Sequence, residues 1–116
     1  RYLGAISSLV LLEPQEEAIM KKFVVLTYGF TTPTDEVKQA WGAWFAAVGP
    51  HLIDPGTPFG RGVELTNGGR TDLDLESPSP LVGYCILNAE DLEHAESLVS
   101  SMPIIESVRI YESHSM

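Results

Sequence analysis

Two stretches constrain the fold most: FVVLTYGF (residues 23–30) and LVGYCILNA (residues 81–89). Successive side chains of a β-strand point to opposite faces, so a strand with one face in water alternates apolar and polar residues. Neither stretch alternates. In the first, Phe23 and Val25 occupy one phase, while Val24, Leu26, Tyr28 and Phe30 occupy the other. Both stretches are therefore read as interior strands of a sheet, apolar on both faces.

The segment TTPTDEVKQAWGAWFAAVGP that follows the first strand carries helix signals. Thr32 or Thr34 can cap it, Pro33 suits a first turn, and Asp35 and Glu36 favour the positive helix end. Val37, Trp41, Trp44, Phe45 and Val48 form one wide apolar stripe, and Gly49-Pro50 stops the helix. HLIDPGTPFGRG reads as a loop, VELTNGG as a short strand of mixed polarity, and RTDLDLESPSP as an exposed loop or ragged edge strand. After the second interior strand, Asn88 is expected to cap a helix with Glu90 and Asp91 in its first turn. Its stripe is Leu92, Ala95, Leu98, Val99 and Met102, and Pro103 ends it. The last strand, IIESVRIYES, puts Val108 and Ile110 on one face and Ser107, Arg109 and Tyr111 on the other.

The order is β-α-β-β-α-β, the split βαβ pattern of an α+β, ferredoxin-like fold: an antiparallel sheet with two helices on one face. In that arrangement the first and third strands are central, which agrees with their two-sided apolar character. The second face of the sheet is then left with Leu, Val, Ile and Tyr side chains in water. Covering several hundred Å² of such surface is worth on the order of ten kcal/mol before association costs. A second copy packed sheet to sheet is the simplest cover, so a homodimer forming an α/β barrel is expected. The apolar run at residues 2–12 is the competing cover.

Bulk composition narrows the partners. The chain of 116 residues is one domain in size. Its net charge of -9, with seven Lys and Arg, argues against nucleic acid, whose phosphates are bound by cationic side chains. The run at residues 2–12 is too short to span a bilayer, which takes about 20 residues, so no membrane partner is expected. Residues 1–19 are read as an N-terminal extension outside the natural domain, and residues 20–116 as that domain, because Met20-Lys-Lys resembles a chain start. A single cysteine, Cys85, excludes an internal disulfide and is compatible with a cytoplasmic location.

Three segments in order carry a family resemblance: MKKFVVLTYGF, then WGAWFAAVGPHLIDPGTPFGRG, then GYCILNAEDLEHAESLVSSMPII. Together they resemble a YCII-related (YciI-like) domain over residues 20–111. The W-x-x-W helix, the L-x-D-x-G-x-P loop and the G-Y-x-I segment each contribute. The resemblance implies a dimeric ferredoxin-like barrel with a cleft. In some members it implies a His-Asp pair proposed for cofactor-free acid–base or lyase-type chemistry. That histidine belongs to the first helix, where this chain has Gln39, Ala40 and Trp41, and Pro103 follows Met102 where the family often has Cys-Pro.

The residues themselves give several candidates. His51 and Asp54 lie three apart in the loop after the first helix. A histidine oriented by a carboxylate can move protons near neutral pH. The structural alternative is a histidine capping helix carbonyls and an aspartate fixing the turn before Pro55-Gly56. Trp41, Trp44, Tyr28 and Tyr84 are candidates for lining a ligand pocket, with core packing the plainer role for the tryptophans. Arg61 and Arg70 can neutralise an anionic ligand or stand solvated at the surface. Asp72, Asp74 and Glu76 lack the spacing of a calcium loop, His94 and His114 have no metal-spaced partner, and no metal or cofactor is expected. Two functions follow. The first is a non-catalytic dimeric domain that binds a small organic ligand, neutral or anionic, or a protein partner. The second is a cofactor-independent enzyme using His51 and Asp54.

Overall fold

The computed structural model describes residues 20–114; the segment 1–19, read above as an extension, lies outside them. The chain forms β1 (Lys21–Tyr28), α1 (Asp35–Val48), a single 3-10 turn (Gly49–His51), β2 (Leu52–Asp54), β3 (Gly62–Thr66), β4 (Gly69–Leu73), β5 (Leu81–Ala89), α2 (Leu92–Val99) and β6 (Ser107–Ser113). Four strands make one antiparallel sheet in the order β2-β5-β1-β6. The two interior strands are the two read as interior from their apolar phases. The result is an α+β domain compatible with a ferredoxin-like fold.

The second strand of the sheet is not the one expected. VELTNGG was read as that edge strand, but Leu52–Asp54 takes the edge position beside β5. A three-residue strand is too short to show a period, and here it sits inside a Pro- and Gly-rich segment that reads as loop. VELT instead pairs with GRTDL across Asn67-Gly68 as a separate two-stranded hairpin, β3–β4. Asn-Gly between two short runs is itself a hairpin signal. All ten residues of the hairpin strands are exposed.

The helix signals are met in α1. Thr34 is its N-cap, the hydroxyl accepting from the Val37 N–H at 3.2 Å. At the other end Gly49 adopts φ +41°, which an L side chain resists, and donates its N–H to Phe45 O. For α2 the cap is Asp91, whose carboxylate accepts from the His94 N–H at 2.8 Å. Asn88, expected in that role, is still in β5, because the strand runs on to Ala89.

One face of the sheet packs on the helices. Val25, Cys85 and Leu87 meet Trp44 and Val48 of α1, Val99 of α2 and Met102, while Phe23 and Ala89 close on Ala95. Trp44 is buried, and its indole N–H donates to Leu98 O at 2.9 Å, so the one polar atom of the ring is satisfied. The register pairs Val24 with Ile86 and Tyr111, and Leu26 with Tyr84 and Arg109, on the opposite face. That face carries no helix among the described residues, and Tyr111 on it is 53% exposed.

Two glycines separate backbone need from helix weakness. A Cβ on Gly56 would lie 1.8 Å from the Tyr84 carbonyl oxygen, at a φ of +73°. Gly42 sits exposed in α1 with nothing within 4 Å of the added carbon. Gly56→Ala is expected to destabilise the fold by about 2–4 kcal/mol, and Gly42→Ala to stabilise it by about 0.5–1 kcal/mol. Urea-unfolding midpoints read both; equal effects at the two sites contradict the placement of the 55–59 loop.

Candidate ligand-binding cleft

The stripe on α1 is not buried evenly. Trp44 and Val48 are buried in the core, whereas Val37, Trp41 and Phe45 are only half-buried. These three line a cleft of about 570 Å³ at the end of the sheet where β1 stops and β5 starts. Its other walls come from the last two residues of β1 and residues 29–31 after it, the loop 55–59, the first residues of β5, and the 102–107 connection into β6. That volume lies within the range of small-molecule pockets.

Local sequence explains each wall. Pro58 bridges to Gly83, and the Phe59 N–H donates to Val82 O at 2.8 Å, so the 55–59 loop continues the edge of β5 past the end of the short β2. The Asp54 carboxylate holds this loop from both oxygens. Oδ1 accepts the Gly56 N–H at 2.8 Å, and Oδ2 accepts the Tyr84 hydroxyl at 3.1 Å. This hydrogen bond, together with the carboxylate charge, pushes the Tyr84 phenol above its ordinary range. Phe59 stacks on Tyr84 with centroids 5.7 Å apart and planes 18° from parallel. On the facing helix Trp41 and Phe45 lie 5.7 Å apart. The Arg109 guanidinium sits 4.8 Å above the Tyr28 ring.

Of the residues singled out from sequence, Tyr28, Trp41 and Tyr84 come together here. Trp44 stands behind them in the core, and Arg61 lies elsewhere, on a separate depression lined also by Asp74, Leu75 and Glu76. Arg70 pairs with Asp72 at 2.9 Å, and Asp74 organises its own turn through the Glu76 N–H and Ser77. Among the described residues no three His, Cys, Asp or Glu side chains come together as metal ligands.

His51 and Asp54 engage different partners. Asp54 fixes the turn at Gly56, as the structural alternative had it. His51 closes the 3-10 turn, and its Nδ1 lies 3.1 Å from the Asn88 carbonyl oxygen and 3.2 Å from the Asn88 side-chain oxygen. A carbonyl oxygen only accepts, so Nδ1 carries the proton. His94 has the opposite tautomer, since its Nδ1 accepts the Glu90 N–H at 3.0 Å, and the two rings meet edge to face at 5.1 Å. No hydrogen bond joins His51 to Asp54 among the described residues.

Comparison with known proteins finds no matching family model and no matching curated protein. Phe59, Lys38 and Phe30, which also line the cleft, were not singled out from sequence. An aromatic residue isolated in a Pro- and Gly-rich loop, as Phe59 is in TPFG, was the available signal.

Cys85 lies beneath the cleft, buried in the core. Burial pushes its thiol up to about 11 from an ordinary 9.0, with the Asp54 charge adding to the effect. An unfolded chain loses this proton first as pH rises, so the stabilisation is present below the ordinary value and lost as pH climbs towards the folded one. Replacing Cys85 by Ala should remove on the order of 1–2 kcal/mol of the stability loss between about pH 8 and pH 10.5, read from denaturation midpoints. An identical loss in wild type and variant contradicts the burial of the thiol.

Proposed function

We propose that this chain is a YCII-like, non-catalytic domain that dimerises through the helix-free face of its sheet and holds a small organic molecule in the cleft beside α1. The observation that carries the ligand reading is the lining. Tyr28, Phe30, Trp41, Phe45, Phe59 and Tyr84 all line one cavity of about 570 Å³. Phe30 is 45% exposed and Phe59 36% exposed at its rim. Apolar rings gathered around an open cavity gain free energy when a ligand covers them. The dimer reading is supported by Val24, Leu26, Ile86 and Tyr111, which share a face that no described helix covers. The separate partners of His51 and Asp54 leave the acid–base alternative with less support than binding.

Both halves are testable with the intact chain. Neutral 2-naphthalenemethanol should bind with a dissociation constant on the order of 10–100 μM by calorimetry. Phe59→Ala, at a rim position outside the core, should weaken that binding about fivefold while lowering stability by only about 1 kcal/mol through loss of the Tyr84 stack, so the chain stays folded. No heat of binding at millimolar probe sinks the ligand reading. Sedimentation at micromolar concentration should give a dimer, and Tyr111→Asp should shift it to monomer. A monomeric wild type contradicts the dimer.

A further inference from the structure

We propose that the ligand is a flat aromatic monoanion whose acidic group is held by Lys38; this rests on the cleft reading above. The chain carries a net charge of -9, with sixteen Asp and Glu. None of the described residues lining the cleft is acidic, and Lys38 is the only Lys or Arg among those described. A cation would be drawn to the acidic surface outside, and Arg109, the cation nearest the lining, is placed over the Tyr28 ring and is not itself in the lining, so a dianion would leave one charge without a partner there. A single negative charge matches a single ammonium in an otherwise uncharged lining.

The geometry places that charge beside the rings. Lys38, Trp41 and Phe45 stand at i, i+3 and i+7 of α1, so they share one helix face that looks into the cleft. Lys38 is exposed and makes no ion pair among the described residues. Asp35 and Glu36, its nearest acidic neighbours in the chain, do not line the cavity. On the β5 side, the Phe59 and Tyr84 rings stack with centroids 5.7 Å apart and planes 18° from parallel. Six of the chain's ten aromatic residues, counted as four Phe, two Trp and four Tyr, line this one cavity. A planar aromatic body offers these rings offset-stacked or edge-to-face contacts that an alkyl chain does not. Thr31, Thr57 and Ser107 are also in the lining, where a hydroxyl would serve the remaining oxygen of an acid group.

The test uses three probes at low salt: 2-naphthoate, neutral 2-naphthalenemethanol and decanoate. Wild type should bind 2-naphthoate about tenfold tighter than either of the others. Lys38→Met should bring 2-naphthoate to the level of the alcohol and leave the alcohol unchanged, and Lys38→Arg should keep the preference. The proposal is overturned if 2-naphthoate binds no tighter than the alcohol, if its advantage survives Lys38→Met, or if decanoate equals it. Binding of the alcohol without preference for the acid sinks this proposal alone; no binding of any probe sinks the cleft reading with it.

Discussion

The structure depends on the uneven burial of one helix stripe. The apolar stripe of α1 spans Val37 to Val48; Trp44 and Val48 are buried in the core, while Trp41 and Phe45 pack against it only partly buried. Those two close the core against Val25, Cys85 and Leu87, which fixes how the helix lies on the sheet. Once it is fixed, Val37, Trp41 and Phe45 keep part of their surface open and turn it to the cleft. A helix with a narrower stripe would leave a polar edge there. This one leaves a wall of rings.

The opposite wall depends on a short strand. β2 covers β5 only around Ile86 and Leu87, so the start of β5 needs another edge partner. The 55–59 loop supplies it through Pro58 and Phe59, and Asp54 pins the loop by taking the Gly56 N–H and the Tyr84 hydroxyl on its two oxygens. Asp54 is thereby a structural anion, whose charge is used in holding Tyr84 and raising its phenol. The histidine three residues earlier is held to Asn88 at a different point of the sheet. Two residues three apart in one loop thus engage separate partners.

Much of the fold was legible because it rests on long apolar patterns. The two interior strands, the split of Val108 and Ile110 from Arg109 and Tyr111, and both helices follow from side-chain period alone. The edge strand was not legible, since Leu52–Asp54 is too short for a period, and the β3–β4 hairpin was signalled by Asn67-Gly68 rather than by hydrophobicity. The α2 cap went to Asp91 because nothing local shows how far a strand runs. Of the site, the helical half was within reach: Trp41 was named as a pocket candidate, and Phe45 belongs to the same stripe. Lys38 and Phe59 gain their meaning only when α1 and the 55–59 loop are brought to one cavity.

The division of the two tryptophans between core and cleft is the central claim, and their indole N–H signals in a nitrogen-15 spectrum test it most directly. With 2-naphthalenemethanol added, the Trp41 signal should move progressively, while the Trp44 signal, bound to Leu98 O, should stay in place and exchange slowly with deuterated water. Equal movement of both signals, or rapid exchange at Trp44, would contradict the account.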